Sequence, residues 1–229
     1  MVIDSGNGGL WTLKKIKHLL PFENYLFFED KINAPYGNKS KKQLKKIVLK
    51  NLKKLTKLYN IKLVVFACNT ISSVCFDYIK QIFFDLPIIK IEPYISTKWF
   101  FGEQTLLLAT KNTIKHNIKI RVYNSSKNVF VVGYKTLAKQ IDCNINNLDN
   151  LLPYLNKTLK KYKHKKIKNI VLGCTHFNYI KPQLIKIFGN VKFFENSNVV
   201  AKNVKNTLKN LNLNSNCKKN GDLLVISKI

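Results

Sequence analysis

Short apolar runs alternate with helical patterns along the chain. Runs of about six residues, such as KLVVFA, TLLLAT and IKNIVLG, predict strands, and KLVVFA predicts one that is buried on both faces. Between the runs, apolar residues recur at helical spacing, most clearly in the long amphipathic segment that Ser40 opens as an N-cap. Alternating strands and helices are typical of an α/β fold with mostly parallel sheets.

The alternation occurs twice. A first series of about four strand–helix units ends at IIKIEP, and a second runs from TLLLAT to a closing helix in VVAKNVKNTLKNL. We read TIKHNIKIRVY as one helix, and DLLVIS, near the end of the tail, as an edge strand. Because the two series are similar in length and pattern, we predict two pseudo-symmetric, doubly wound, Rossmann-like domains.

Three predicted strands end in polar, chemically capable residues, which we read as the loops DSGNGG, CNTISS and CTHF. Ligands of doubly wound sheets bind beyond the carboxyl ends of the strands. We therefore expect an active site in the cleft between the two domains.

The charge of the chain changes this picture little. The formal net charge is +28, from 40 Lys and Arg against 12 Asp and Glu, and such a balance normally suggests nucleic acid or an anionic surface. Only Arg121 is an arginine, however, and arginine is the preferred residue for base and phosphate contacts. The lysines are also spread over nearly every predicted helix. We expect a solvated surface that attracts an anionic substrate, and no specific nucleic-acid site.

The sequence also disfavours two further classes of protein, membrane proteins and disulfide-rich secreted proteins. No window approaches ~20 uninterrupted apolar residues, so no membrane span is expected, and the first residues lack the pattern of a signal peptide. The five cysteines are odd in number and form no C-x-x-C, which favours free thiols in a reducing cytoplasm. We expect structural roles for Cys75, Cys143 and Cys217, which lack polar neighbours of the right kind.

The polar strand ends allow several chemistries. SGNGG departs from G-x-G-x-x-G, so we favour a tight turn with Asp4 and Ser5 at its lip over a phosphate site. Cys174 and His176 are too few for a zinc site, and no metal is expected. A Cys174–His176 hydrolase is a better alternative, but it leaves Cys68 unexplained.

Cys68 and Cys174 have parallel contexts. VVFACNT and IVLGCTH each contain an apolar run, a small residue, a cysteine and two hydrogen-bonding residues, and they lie in opposite halves of the chain. Two equivalent strand ends from pseudo-symmetric halves would face each other across one cleft. Facing thiols suit inversion of a stereocentre, because a thiolate removes a proton from one face of a carbon and a thiol returns one to the other.

The motifs IDSGNGGL, APYGNKS, ACNTISS and LGCTHF, in this order, resemble the four signatures of the glutamate racemases, and the similarity runs from Met1 to about Leu211. The resemblance implies a cofactor-independent cytoplasmic enzyme that interconverts L- and D-glutamate and supplies D-glutamate for peptidoglycan. A racemase of another amino acid, such as aspartate, and a basic binding protein on a racemase scaffold are the alternatives. The abundance of Lys, Asn, Ile and Phe is typical of an AT-rich, reduced genome.

Carried over by position, the resemblance implies that Cys68 and Cys174 are the catalytic thiols, with Asp4 and His176 as auxiliary acid/base residues. It implies substrate binding by Asp4, Ser5, Tyr36, Gly37, Asn69, Thr70, Thr175 and His176.

The resemblance also implies a domain division, with residues 1–93 and 191–229 in the first domain and residues 94–190 in the second. The implied partner is the small-molecule substrate, and a homodimer is left open. Two positions depart from the family pattern. Asp142 stands where a Glu is usual, and Phe194–Asn196 replaces an Asp-Ser pair.

Overall fold

The computed structural model describes residues 1–96, 98 and 102–229. The residues left out fall in the range expected for the second domain. The chain forms two parallel sheets, with strand orders β4-β3-β1-β2-β9 and β6-β5-β7-β8. The strands are β1 Val2–Asp4, β2 Tyr25–Glu29, β3 Val64–Phe66, β4 Ile88–Lys90, β5 Thr105–Thr110, β6 Val129–Tyr134, β7 Asn169–Gly173, β8 Lys192–Phe194 and β9 Leu223–Ile226. The predicted α/β class and parallel sheets are confirmed.

Helices connect the strands of both sheets. They are α1 Gly9–Leu19, α2 Lys41–Leu58, α3 Asn69–Ile82, α4 Lys111–His116, α5 Ile118–Tyr123, α6 Leu137–Cys143, α7 Leu152–Leu159, α8 Lys181–Phe188 and α9 Ser197–Asn210. Helix α2 begins with a capping box, in which the Ser40 side chain accepts from the backbone N–H of Gln43 and the Gln43 side chain accepts from that of Ser40.

Successive strand residues point to opposite faces of the first sheet, so each face has its own core. Ile3, Phe28 and Phe66 pack with buried residues of α2 and α3. Val2 and Phe27 pack instead with buried residues of α1 and α9. The second sheet is covered in the same way, by α6, α7 and α8 on one face and by α5 on the other. Both sheets are therefore doubly wound, as the continuous apolar runs predicted.

The structure differs from two local predictions. The segment CNTISS is not a loop, because α3 begins at Asn69, directly after Cys68. The segment TIKHNIKIRVY is not one helix, because Asn117 ends α4 and its side chain accepts from the N–H of Ile120 to cap α5. A capping side chain offers the backbone an alternative to a continuous helix.

The end of the chain returns to the first sheet. Helix α9 packs against α1, and β9 pairs in parallel with β2 at the sheet edge, as expected of DLLVIS. Strand β8, however, pairs with β7, so the second sheet continues beyond the boundary expected at residue 190. We propose the same division into domains with this boundary moved to follow Phe194.

Candidate active site

Three strand ends meet at the candidate site. Asp4 is the last residue of β1, and Cys68 follows β3 and caps α3. Cys174 follows β7 directly and precedes a short 3-10 turn, Thr175–Asn178. The apolar strands are buried, so the first polar residue after each of them emerges at the carboxyl edge of its sheet.

One narrow cavity joins the two halves of the chain. It is lined by both thiols, Cys68 and Cys174, and holds about 20 Å³ accessible to water. The other lining residues are Ser5, Pro35, Tyr36, Gly37, Thr70, Thr110, Tyr134, Lys135, Ala138, His176 and Phe177. Parallel sequence contexts in opposite halves therefore do bring the two cysteines to one site.

Asp4 bridges the halves from a fully buried position. Its carboxylate accepts from the Thr175 hydroxyl at 3.0 Å and from the Gly6 N–H at 3.1 Å. Burial raises the pKa of Asp4 to about 6, and the nearby His176 and these hydrogen bonds limit the rise. Asp4 can therefore exchange a proton near neutral pH.

Cys68 lies in an environment that favours its neutral thiol. Its sulfur is 3.8 Å from the Ser5 hydroxyl. Burial, then the charges of Asp4 and Cys174, raise the pKa of Cys68 far above its ordinary value, while the N–H groups of Ile71 and Thr70 act in the opposite direction. Cys68 is thus set to donate a proton, and the first turn of α3 can stabilise the thiolate that donation leaves.

Cys174 lies beside the imidazole ring of His176. Its sulfur is 4.0 Å from Nδ1 of His176, and the other ring nitrogen, Nε2, is 3.2 Å from a carboxylate oxygen of Asp142, although its N–H is not aimed at that oxygen. Burial lowers the pKa of His176, but Asp142, Cys174 and Asp4 outweigh burial and hold it well above its ordinary value. The imidazolium can stabilise a negative charge on the Cys174 sulfur.

Tyr36 is held by a buried network behind the cavity. Its hydroxyl donates to Asp30 at 2.6 Å, and the same carboxylate accepts from the side chains of Asn51 and Asn33. Burial and the charge of Asp30 raise the pKa of Tyr36 well above its ordinary value, so the hydroxyl stays protonated. The network fixes the tyrosine ring against the cavity.

Three hydroxyls tie the domains together beside the thiols. Thr70 of α3 lies 3.0 Å from Thr110 and 3.4 Å from Thr113, and the last two are 2.9 Å apart. A Cβ added at Gly37 would lie 3.2 Å from Cβ of Thr110. A side chain at position 37 would crowd Thr110, so glycine suits the close approach of the loop before α2 to β5.

The predicted site residues fall into two groups. Ser5, Tyr36, Gly37, Thr70 and His176 line the cavity with both cysteines. Asp4, Asn69 and Thr175 are buried and do not line the cavity. The side-chain oxygen of Asn69 accepts no hydrogen bond within the described part of the chain. Sequence reasoning missed Thr110, Tyr134 and Lys135. Thr110 ends an apolar run as the predicted residues do, and that signal could have identified it.

The remaining cysteines lie elsewhere, and all five thiols are free. Cys75 is buried in the core between the first sheet and α2 and α3, whereas Cys143 and Cys217 are exposed rather than packed. Across residues 1–96, 98 and 102–229, no three His, Cys, Asp or Glu side chains group as metal ligands would. No helix in the same ranges is long and apolar enough to cross a membrane.

Known proteins similar to this chain are glutamate racemases. This chain is 30% identical over 230 residues to the glutamate racemase of Clostridium botulinum, and the match covers 98% of this chain and 89% of that one. It is 33% identical over 220 residues to glutamate racemase 2 of Bacillus subtilis, covering 91% and 81%. The crystal structure of Francisella tularensis glutamate racemase with D-glutamate matches with a TM-score of 0.81 at 27% identity, covering 98% of this chain and 85% of that one. No protein-family model matches the chain.

Two doubly wound domains that enclose paired thiols, together with these relatives, define an α/β enzyme of the isomerase class. The chain belongs to the glutamate racemase family.

Proposed function

We propose that this chain interconverts L- and D-glutamate without a cofactor, by proton transfer between the α-carbon and two cysteines. One observation carries the proposal: Cys68 and Cys174, from different domains, border the same narrow cavity. A carbon held between them would present one face to each sulfur, and inversion needs a base on one face and an acid on the other.

In the L-to-D direction, the Cys174 thiolate takes the α-proton and the Cys68 thiol returns a proton to the opposite face. The reaction leaves a thiol at Cys174 and a thiolate at Cys68. In the D-to-L direction the roles are exchanged. The high pKa of Cys68 suits it to give up its proton only to a strong base such as a developing carbanion.

Asp4 and His176 act in this scheme on opposite sides of the carbon. His176 stabilises the Cys174 thiolate from 4.0 Å and is itself charged because Asp142 lies beside it. Asp4, whose pKa is about 6, supplies or holds a proton near Cys68. Asp142 thereby acts as a positioning residue where the family usually carries the longer Glu.

The cavity wall offers partners for the charged groups of glutamate. The Ser5 and Thr70 hydroxyls line the cavity and can donate to its carboxylates, whereas Tyr36 already donates its hydroxyl proton to Asp30. Asn69 does not line the cavity, and its unpaired oxygen can accept from the ammonium group only once the domains have separated. Because the cavity holds only about 20 Å³ accessible to water, the two domains must separate to admit substrate.

We further propose that the product D-glutamate serves peptidoglycan synthesis in the cytoplasm. A homodimer stays a prediction.

The test uses purified protein with L-glutamate in deuterated water. The wild type should lose the circular-dichroism signal of L-glutamate and incorporate α-deuterium into both enantiomers. Cys68→Ser and Cys174→Ser should each slow racemisation by about 10²–10⁴-fold. Cys68→Ser should still exchange the α-proton of L-glutamate, because Cys174 remains to remove it.

Cys217→Ser is the matched control, because Cys217 is exposed and does not line the cavity, and this variant should racemise glutamate at the wild-type rate. A Cys68 or Cys174 variant with normal racemisation would exclude the two-base mechanism. Turnover of aspartate but not glutamate in the same assay would assign the chain to another substrate.

A further inference from the structure

A second cavity lies behind the Tyr36 network. It measures about 360 Å³, which is within the range of small-molecule sites. Its walls come from α2, from the loop after β2 and from the end of the chain. They include four lysines: Lys46, Lys50, Lys54 and Lys228.

The lysines form one positive surface. Lys46, Lys50 and Lys54 are four residues apart and therefore lie on one face of α2, facing the same cavity. In the part of the chain that the structure describes, none of the four lies within 4.0 Å of a carboxylate. Like charges at this spacing destabilise a helix, and an anion bound among them would remove that repulsion.

The acidic residue in the cavity does not oppose an anion strongly. Asp30 is 2% exposed, and its two oxygens accept from the side chains of Asn33, Tyr36 and Asn51 at 2.6–3.0 Å. Its charge is therefore balanced by these three donor side chains. Asn33 and Asn51 also line the cavity, and the other lining residues are apolar, with Ile32, which is 60% exposed, and Ile47 among them.

We propose that this cavity binds a small molecule with two or more linked phosphates. The four lysines hold the phosphates as point charges, and Ile32 and Ile47 contact any organic group attached to them. Three of the ammonium groups follow one another along the wall at intervals of about one helical turn. Linked phosphates can contact several of them at once, whereas a single carboxylate cannot. The site is separate from the cavity of Cys68 and Cys174, because the two cavities share no lining residue.

The test is calorimetric titration of the full chain with pyrophosphate and with ADP, at about 0.15 M salt to screen the general field. Each should bind at one site. The triple variant Lys46→Gln, Lys50→Gln, Lys54→Gln should lose about tenfold or more in affinity for both. If pyrophosphate binds as tightly as ADP, the site recognises phosphates alone. If ADP binds more tightly and Ile32→Ala abolishes this difference in affinity, the apolar wall contributes to binding as well.

The control is Lys42→Gln, Lys53→Gln, Lys57→Gln, which removes the same charge from exposed positions of the same helix that do not line the cavity. It should bind within about twofold of the wild type. Thermal unfolding of both variants establishes that each is folded. Absence of saturable binding to the wild type, or equal losses in both triple variants, would overturn the proposal in favour of non-specific attraction.

Discussion

The charges at the site depend on burial as much as on pairing. Asp4 and His176 are both almost inaccessible, yet burial raises the pKa of Asp4 while neighbouring anions raise that of His176. Both shifts keep a proton on the folded protein that the unfolded chain would release. They therefore make the folded state less stable as pH rises.

Asp4→Asn should test this sign. Below pH 3.8, the pKa of this carboxyl in the unfolded chain, Asp4 is protonated in both the folded and the unfolded state. The protein loses stability as pH rises from there through about 6, the pKa in the folded state. Asparagine does not titrate, so the variant does not lose stability over this range. Its free energy of unfolding should therefore rise by roughly 2–3 kcal/mol relative to that of the wild type between pH 4 and pH 7.5. Denaturant unfolding at both pH values measures the difference. Asp85→Asn, at an exposed position, is the control, and an Asp4→Asn effect that is equal at both pH values would contradict the assignment.

Gly6→Ala should disturb the site without unfolding the protein. The added Cβ would lie 2.7 Å from Nε2 of His176 and 3.3 Å from the Asp142 carboxylate, so His176 must move. Since displacement by about 1 Å can cost about 10²-fold in rate, kcat/KM for glutamate should fall by tenfold to 10²-fold. A racemase assay and a melting curve on the same sample separate this effect from misfolding. Unchanged kcat/KM would mean that the ring is not held as described.

The sequence alone predicts some residues of the site but not others. Asp4, Cys68 and Cys174 could be predicted because each follows an apolar run, and parallel strands present such residues at one edge. The roles of Asp142 and Asp30 could not be predicted in this way. Asp142 contacts His176 from α6, and only tertiary packing brings these two residues together. Asp30 lies six residues before Tyr36, and their hydrogen bond depends on the conformation of the loop between β2 and α2.

At the scale of elements, strong local signals gave correct predictions and weak ones did not. Helix α2 was evident from its cap and its apolar stripe. The start of α3 was missed because Asn, Thr and Ser in its first turn favour turns when taken alone. Burial of Ile71, Val74 and Ile79 against the first sheet outweighs that preference.

The capping box of α2 provides a test at this scale. Ser40→Ala removes the side-chain acceptor of the Gln43 N–H and should destabilise the protein by about 1 kcal/mol. For a chain of this size, the melting temperature should fall by about 2–4 °C. Ser40→Asp, which keeps an acceptor, should restore it. A melting temperature that is equal for Ser40→Ala and wild type would show that tertiary contacts alone hold the first turn.

At the scale of the whole molecule, the net charge of +28 imposes self-repulsion. Raising NaCl from about 0.05 to 0.5 M shortens the Debye length from over 10 Å to below 5 Å, so the melting temperature should rise. The same screening should lower kcat/KM for the anionic glutamate, since attraction by the positive field weakens. Choline chloride should give equal effects. A melting temperature independent of both salts would show that the lysines are too dispersed to repel.

The return of α9 and β9 to the first sheet sets an order of events during synthesis. All four strands of the second sheet lie between residues 105 and 194, whereas the first sheet needs residues 223–226 to complete its edge. A ribosome therefore releases everything the second domain requires while the first still lacks its last helix and strand. Domains usually mature from the N-terminus onward. Here the later segment can fold first, before the tail of the chain has completed the domain with which the chain began.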